Sequence, residues 1–384
     1  MNLAVKDTAQ SLIDTEDEVM LRDAARGFLA DAAPVSALRA NRDAGRMYDP
    51  ALWSDMAQMG WTGVLVPEDA GGADMGHRAA GILAEEMGRT LAASPFLSTA
   101  VIAASVLRQA GPAAKGALQA IAAGQVTYAL ALDEGPKFAP AATAMQATRQ
   151  GNAFRLSGVK TFVADGATAG RVLVLARTSG SAGDADGLTL FDIDVSRTGL
   201  DRQALATIDS RDHAQLVFDG VEATGDDIIG DLDGGMLALR PGLQAGQAAL
   251  AAELTGLAGA ASAITLGYLK ERKQFDRTIG SFQALQHRAA HLWSDIEVTA
   301  SAIANAGRVL DHTPADATLA VSLAKARAAQ TAKLAVSEAV QMHGGIGMTD
   351  AYDIGFYMKR ARVGAEWLGD YGYHAGVIAA ARGF

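Results

Sequence analysis

Glu253 is the residue of this 384-residue sequence whose surroundings point most directly to chemistry. It is the only charged residue between Pro241 and Lys270, and its neighbours are mostly alanine, glycine and leucine. Burial there would raise the pKa of its carboxyl group toward neutrality, which suits a general base that removes a weakly acidic proton. The alternative is a structural carboxylate paired with an arginine from another helix or subunit. The small neighbours allow either the close approach of another helix or a space for a flat ligand.

Two polar stretches contain residue types that bind phosphate or nucleotides. The stretch 271–288 includes Arg272, Gln274 and Gln283, and an arginine can hold a pyrophosphate through two hydrogen bonds. The stretch 344–347 is Gly-Gly-Ile-Gly, whose backbone N–H groups could bind a phosphate. Taken alone, the first stretch also fits a solvated helix end, and the second also fits a helix C-cap with a reverse turn.

The composition argues against several other classes of site. With no cysteine, the chain cannot form a disulfide, a zinc-thiolate site, an iron–sulfur cluster or a thiol nucleophile. His287 and His291 are four residues apart, but Arg288 stands where a zinc protease has glutamate, so we expect no metal site. The formal net charge of −10 opposes binding to nucleic acids and to anionic membranes.

The spacing of apolar residues divides the chain into three segments. It is helical up to about residue 124, alternating or β-branched up to about 230, and helical again in long segments after that. We therefore predict a mainly α protein with a central β domain. Its parts are a helical N-terminal domain (1–124), a small antiparallel, barrel-like β domain (125–230) and a C-terminal four-helix bundle (231–384) with helices near 242–274, 281–312, 315–343 and 352–381.

Neither a targeting segment nor a membrane span is expected. The first twenty residues carry acids where a signal peptide has a basic stretch followed by an apolar run. The most apolar stretch, 242–269, is interrupted by glutamine, glutamate, threonine and glycine, which indicates a buried helix. We therefore expect a cytoplasmic protein.

Together these motifs resemble the acyl-CoA dehydrogenase family over nearly the whole chain. Residues 272–283 are similar to its RxxFGxxIxxFQ signature, with Asp276 in place of the usual glycine. Residues 341–347 are similar to its QxxGGxG turn, and residues 60–72 and 85–89 to its amino-terminal GW, PE, GG and EExGR pattern.

The resemblance implies FAD bound between the β domain of one subunit and the carboxy-terminal bundle of a neighbour. It also implies α,β-dehydrogenation of an acyl-CoA thioester, in which a carboxylate removes the α proton while the β hydride passes to flavin N5. The electrons would leave to an electron-transfer flavoprotein. By the same resemblance Phe162 falls where the family commonly has a flavin-stacking tryptophan. The residues implied to contact the FAD of a neighbouring subunit are Arg272, Gln274, Phe275, Gln283, Gln341, Gly344 and Gly345.

Two departures from the family pattern affect the site. The family's TEPxxGSD segment is replaced by residues 132–140, in which only Glu134 corresponds. The usual base, a glutamate near the carboxyl terminus, is replaced by Leu368, and the alternative family position falls near Gly246 or Gln247. Glu253 is therefore our first candidate for the base and Asp370 the second; the base can also belong to another chain or be absent here.

Both departures resemble one branch of the family, the smaller subunits of heteromeric enzymes that act on pimeloyl-CoA-like dicarboxylates or steroid side chains. We therefore expect a homo- or heterotetramer, the latter with a sister acyl-CoA dehydrogenase chain. Three hypotheses follow: a dehydrogenase or its subunit, a catalytically silent partner that completes a shared flavin site, and a flavin-dependent monooxygenase on the same fold.

Overall fold

The computed structural model describes residues 14–184 and 186–384. Residues 1–13, which carry much of the expectation about targeting, and Ala185 lie outside the described residues. Across the described ranges the order of elements is helices, then a sheet, then helices, which confirms the predicted fold class.

The amino-terminal part is helical, and its local signals work as the sequence indicates. Asp49 caps a helix by accepting a 3.0 Å hydrogen bond from the backbone N–H of Ala51, with Pro50 in the first turn. A π-helical segment, Phe96–Ala103, leads into a short α-helix. The helices are α1 (Glu16–Ala32), α2 (Val35–Asp43), α3 (Pro50–Gln58), α4 (Gly76–Thr90), α5 (Ala104–Leu107) and α6 (Lys115–Ala122).

The central part is a mixed sheet in the order β6-β7-β3-β2-β4-β5-β8, with β1 beside β4. Most neighbours are antiparallel as predicted, but β1 and β2 each lie parallel to β4. Because a long loop follows β1 in place of a tight turn, β1 does not pair with the next strand. The strands are β1 (Tyr128–Ala131), β2 (Gln146–Gln150), β3 (Ala153–Ala164), β4 (Arg171–Arg177), β5 (Leu188–Asp194), β6 (Leu200–Ala204), β7 (His213–Thr224) and β8 (Ile228–Ile229).

The carboxy-terminal part is the predicted bundle, with its fourth helix broken in two. The break lies at residues 367–370, where Leu368 has a φ of +59° and Gly369 a φ of +103°. A two-stranded hairpin of β9 (Lys273–Gln274) and β10 (Arg277–Thr278) joins the first two bundle helices. The helices are α7 (Gly235–Glu271), α8 (Gln283–His312), α9 (Ala317–His343), α10 (Ile354–Glu366) and α11 (Tyr371–Ala381).

The central helix of the fold is α7, which packs against α4, α8 and α9. By length and composition it could cross a membrane, but 72% of its most apolar 18-residue window is buried inside the protein. A helix that is apolar on nearly all sides is typical of the core of a large domain. We propose domain boundaries at 124/125 and 230/231, which fall between α6 and β1 and between β8 and α7.

Candidate functional site

A cavity of about 430 Å³ lies between the sheet and the end of α10, and we call it the ring cavity. Phe162, Ile208 and Trp367 line it. Phe162 lies at an irregularity in the pairing of β3 with β7, has a φ of +51° and is 55% exposed. Bulges of this kind re-aim a side chain away from regular pairing. The ring cavity therefore presents flat apolar groups that suit a planar ligand.

Two buried polar atoms of residues that line the ring cavity have no hydrogen-bond partner among the described residues. They are Oδ1 of Asp133 and Nδ1 of His213. Burial raises the pKa of the Asp133 carboxyl to about 6, although the charge of Lys160 opposes this. Burial also lowers the pKa of His213. At neutral pH the cavity therefore offers a carboxylate and an uncharged imidazole to a ligand.

Glu134, the residue that corresponds to the family's TEPxxGSD segment, anchors the loop that contains Asp133. Its carboxylate accepts hydrogen bonds from the backbone N–H groups of Ala144 and Met145, at 2.8 and 3.1 Å. It also binds Nζ of Lys160 at 2.7 Å, and Lys160 is fully buried. Glu134 is therefore engaged with the sheet, while Asp133 lines the ring cavity.

A second cavity, of about 540 Å³, lies beside α7 and α9, and we call it the helix cavity. Its lining combines the apolar Leu243 with the polar Arg240, Gln244 and Thr318. Nε2 of Gln244 donates a 3.0 Å hydrogen bond to the hydroxyl of Thr318. The mixed lining suits an extended ligand that has both apolar and polar parts.

The two cavities adjoin across a pair of aromatic rings. Phe138, which lines the ring cavity, meets Tyr373, which lines the helix cavity, with ring centroids 4.8 Å apart at 88°. Beside this contact, Nζ of Lys137 binds Asp370 at 2.6 Å and Glu366 at 3.1 Å. This contact therefore stands between the two cavities.

Glu253 is buried and forms a two-point ion pair. Arg360 on α10 donates from Nε and Nη2 to the two carboxylate oxygens, at 2.7 and 2.9 Å. Nη1 of Arg360 also donates to Asp209 at 3.0 Å. Arg211 lies 3.8 Å from Oε1 of Glu253. These contacts join α7, α10 and the loop before β7.

The prediction of a raised pKa is wrong for Glu253. Burial acts to raise the pKa, but the charge and hydrogen bonds of Arg360, followed by the charge of Arg211, outweigh it and hold the pKa below its ordinary value. A carboxylate with a lowered pKa is a weak base at neutral pH. The geometry therefore favours the alternative drawn from the sequence, a structural carboxylate paired with an arginine.

The small residues around Glu253 allow α4 to pack closely on α7. A Cβ atom added at Gly256 would lie 1.8 Å from the backbone oxygen of Glu85, and one added at Gly88 would lie 2.0 Å from the backbone oxygen of Glu253. Real Cβ atoms do not approach this closely. Of the two uses expected for these residues, the structure therefore shows close helix packing, and no space for a flat ligand there.

Asp370, the second candidate base, caps α11. Its Oδ1 accepts a 2.8 Å hydrogen bond from the backbone N–H of Tyr373, and its other oxygen binds Lys137. The hydrogen bond from Lys137, followed by the one from the backbone of Tyr373, lowers the pKa of Asp370. A carboxylate that is engaged twice and has a lowered pKa is poorly suited to take up a proton.

The two family positions for the base are neighbours in space. Leu368 is buried, and a Cβ atom added at Gly246 would lie 3.1 Å from its Cδ1. Nε2 of Gln247 donates a 3.1 Å hydrogen bond to the backbone oxygen of Leu368. The family positions for the base are thus occupied by leucine, glycine and glutamine, none of which is a base.

Lys325 on α9 holds the turn that contains Leu368. It is fully buried, and its Nζ donates to the backbone oxygens of Gly364, Ala365 and Gly369 at 3.0, 3.3 and 3.0 Å. Burial lowers its pKa to about 7. The last carbonyl groups of a helix have no hydrogen-bond donors within the helix, and the Lys325 side chain supplies one at the end of α10.

We expect Lys325→Met to lower the free energy of unfolding by about 2 kcal/mol or more, because buried carbonyls lose their donor. Lys333→Met, an exposed change on the same helix, is the control. Since the pKa of Lys325 is lowered in the folded state, the unfolded state binds more protons above about pH 7, and wild-type stability should rise with pH from there. Urea unfolding at pH 7 and 9 measures both effects; equal losses in the two variants would contradict the assignment.

Seven of the predicted cofactor residues lie exposed at one end of the bundle. The rings of Tyr268 on α7 and His343 on α9 stack with centroids 4.4 Å apart, so the ends of these helices are adjacent. Phe275 is 85% exposed with a φ of +53°. The seven are Arg272, Gln274, Phe275, Gln283, Gln341, Gly344 and Gly345.

Phe162, the eighth, lies apart from these seven. Lys325 contacts Gly364 near the ring cavity, and His343 lies eighteen residues further along α9. At 1.5 Å per helical residue this is about 27 Å. The ring cavity and the exposed set therefore lie well apart along the direction of α9.

The histidine pair on α8 does not form part of a metal cluster. His287 and His291 are both exposed. Within residues 14–184 and 186–384, no group of three or more His, Asp or Glu side chains could hold a metal ion.

Sequence reasoning missed Arg360, Lys325 and the role of Asp133. A lone buried glutamate requires a cation, so the need for a residue such as Arg360 was visible, but nothing in the spacing identified which arginine. Lys325 lies among alanines and Asp133 beside Glu134, and neither neighbourhood carries a signal for the contacts observed.

Comparisons with known proteins agree with this architecture. Residues 15–125 match the family model of the acyl-CoA dehydrogenase N-terminal domain, and residues 233–382 match that of the acyl-CoA dehydrogenase C-terminal domain. The chain is 32% identical to the acyl-CoA dehydrogenase IpdE2 of Mycobacterium tuberculosis, over 92% of this chain and 93% of the relative. It is 29% identical to a 3-(aryl)acrylate reductase of Clostridium sporogenes, over 92% and 95%.

A solved structure supports the same fold. A chain of the Tcur3481-Tcur3483 steroid ACAD variant superimposes with a TM-score of 0.86 and 31% identity, covering 95% of this chain and 97% of that one. The butyryl-CoA dehydrogenase of Megasphaera elsdenii, at 22% identity and a TM-score of 0.89, shares the fold.

Proposed function

Because the chain belongs to the acyl-CoA dehydrogenase family, whose members are oxidoreductases acting on CH–CH groups, we propose that it forms one subunit of an FAD-dependent enzyme that dehydrogenates an acyl-CoA thioester between its α and β carbons. The observation that supports this most strongly is the ring cavity, with flat apolar walls and two polar atoms in need of partners, next to a helix cavity of mixed lining.

The residues of the ring cavity fit the flavin ring of FAD. Phe162 and Trp367 offer apolar surface to the ring, and the unpartnered atoms of Asp133 and His213 offer hydrogen bonds to a heterocycle. When bound, FAD supplies the two-electron acceptor that the dehydrogenation requires. The contribution of this chain is to hold the ring, to exclude water from it and to bring the thioester beside it.

The helix cavity fits the acyl-CoA thioester. Arg240 can bind a phosphate, and Gln244 and Thr318 can exchange hydrogen bonds with the amides of the pantetheine arm. Leu243 provides apolar surface for the carbon chain. For the reaction to occur within this chain, the thioester must reach the ring past Phe138 and Tyr373.

A second candidate function is a catalytically silent subunit that completes a shared flavin site. The observation that favours it is the occupancy of the base positions: Leu368 and Gly246 cannot take up a proton, and Glu253 is committed to Arg360. In this version a sister chain carries the base. Nothing in the described part of the chain favours the monooxygenase hypothesis over these two.

The exposed end of the bundle supports a shared site in both versions. Arg272, Gln274 and Phe275 are available to a molecule outside this chain, and about 27 Å of α9 separates His343 at this end from Lys325, which holds the turn beside the ring cavity. We propose that this end contacts the FAD of a neighbouring subunit in a homo- or heterotetramer. An electron-transfer flavoprotein would receive the electrons, and the cysteine-free chain is compatible with the cytoplasm.

The absorption spectrum of the purified protein tests the proposal. We expect the chain to retain FAD when co-purified with its sister chain, and the complex to bleach near the flavin band when an acyl-CoA is added without oxygen. Bleaching by this chain alone would favour independent catalysis over the silent role. A protein that binds no flavin, alone or with any sister chain, would contradict the proposed function.

A further inference from the structure

We propose that Asp133 and His213 bind the hydrogen-bonding edge of the ring in the ring cavity, with the carboxylate of Asp133 accepting a hydrogen bond from an N–H group of that ring. The ligand class is a planar heterocycle with an N–H at its edge, and the flavin ring of the proposed function, on which this inference rests, is of that class.

The need for a ligand follows from the unpartnered atoms. Oδ1 of Asp133 and Nδ1 of His213 are both buried from solvent, yet neither has a hydrogen-bond partner among the described residues. The His213 residue as a whole is only 4% exposed. Buried polar groups in folded proteins are nearly always hydrogen-bonded, because burying an unpaired group costs its full desolvation free energy. Both residues line the same cavity, so one ligand can reach both once a small shift of the lining uncovers these two atoms.

The backbone holds the two residues beside Phe162, Asp133 on the loop that follows β1 and His213 at the start of β7. The carbonyl oxygen of Asp133 accepts a 2.8 Å hydrogen bond from the N–H of Thr161, the residue before Phe162 on β3. His213 is the register partner of Ala164, two residues after Phe162 on the same strand. A ring that packs on Phe162 therefore lies between two fixed polar groups, one anchored on each side.

The charged groups around Asp133 are already committed to other partners. Lys160 binds Glu134 and the carbonyl of Leu132, while Lys137 binds Glu366 and Asp370. Arg362, which also lines the cavity, lies 3.5 Å from Glu366. Asp133 forms no salt bridge among the described residues. Its carboxylate is therefore available to the ligand.

The arrangement makes binding of the ring depend on pH. Burial raises the pKa of Asp133 to about 6, so its carboxylate is present above that pH and is lost below it. A neutral carboxylic acid is a much weaker acceptor for an N–H donor than a carboxylate is. Affinity for the ring should therefore rise as the pH passes upward through about 6.

Equilibrium binding of FAD, followed by flavin fluorescence from pH 5 to pH 8, tests this in the assembled protein that retains flavin. We expect Asp133→Ala to weaken FAD binding roughly tenfold at pH 8 and to flatten the pH profile. Asp133→Asn, which keeps an acceptor but cannot titrate, should bind more tightly than Asp133→Ala and also show a flat profile. Asp219→Asn, an exposed change on β7, is the control.

A second ligand isolates the N–H group. FAD methylated at N3 has no imide N–H, and the wild-type protein should bind it weakly and without the rise near pH 6. His213→Ala should weaken FAD binding while leaving the pH profile in place. A wild-type profile in both Asp133 variants, or equal affinity for FAD and its methylated form, would overturn the inference while leaving the proposed function standing. Absence of flavin binding at every pH would overturn both.

Discussion

Glu253→Gln is expected to lower the free energy of unfolding by about 3–5 kcal/mol. Glutamine has nearly the shape of glutamate, so packing is kept while the negative charge is removed. Arg360 would then keep only Asp209 as a charged partner, and Arg211 would lose the nearest carboxylate. Arg360 is buried and Arg211 is largely buried, and a buried cation without compensation is costly. Chemical unfolding followed by circular dichroism at pH 7 measures the loss.

The pH dependence separates a structural role from a general loss of stability. Because the pKa of Glu253 is lowered in the folded state, its stabilising effect is present above the unfolded pKa of about 4.5 and is lost as the pH falls through the folded value. Wild-type protein should therefore lose more stability in acid than Glu253→Gln does. Glu297→Gln, an exposed change on α8, should stay within about 0.5 kcal/mol of wild type. A variant of full stability that binds FAD but has no turnover would restore Glu253 as the base.

The ion cluster around Glu253 also explains how the sheet is held on the bundle. Arg360 belongs to α10, while Asp209 and Arg211 belong to the loop that leads into β7 and His213. Breaking the cluster therefore removes contacts beside the ring cavity as well as inside the core. We expect the Glu253 variant to lose flavin more readily than wild type even under conditions where it remains folded.

The parts of the fold that were predictable depend on local signals. Asp49 and Pro50 mark the start of α3, and Gly151, with a φ of +63°, marks the turn between β2 and β3. The break after α10 contains a glycine, Gly369, and a capping residue, Asp370, but no local signal marks the left-handed residue Leu368 before them. Leu368 adopts a left-handed backbone there, and the turn is held by Lys325 and Gln247 from other helices. A conformation stabilised by distant contacts cannot be read from its own sequence.

The same distinction applies to the candidate site. Arg272 directly follows α7 and Gly344 directly follows α9. Since these two long helices end side by side, the two residues lie at one end of the bundle, and the predicted helix boundaries were enough to place them there. The state of Glu253 was not predictable, because Arg360 is remote in sequence and decides the direction of the pKa shift. Asp133 was missed because its exposure to the ring cavity depends on a loop that Glu134 and Lys160 fix.

Leu368→Glu is expected to increase the rate of flavin bleaching by acyl-CoA at least ~100-fold, since a positioned general base contributes about 10²- to 10⁴-fold. The side chain of residue 368 packs against Gly246 in the core, next to Trp367 of the ring cavity in sequence and bonded through its backbone to Gln247 of the helix cavity. Burial there would raise the pKa of the carboxyl group, whereas Lys325, which holds the same turn, would act to lower it. The balance of the two decides how well the carboxylate removes the α proton near neutral pH.

Leu368→Gln is the matched control, because it has the shape of the glutamate variant but cannot take up a proton. Anaerobic stopped-flow absorbance on the assembled protein, with wild type and both variants holding equal flavin, compares the three. If this chain lacks only a base, the glutamate variant alone should bleach rapidly. If the partition of Phe138 and Tyr373 also keeps the thioester from the ring, Leu368→Glu should gain nothing until Phe138→Ala is added. Rapid bleaching by wild type and by Leu368→Gln alike would mean that another group, on this chain or its partner, already supplies the base.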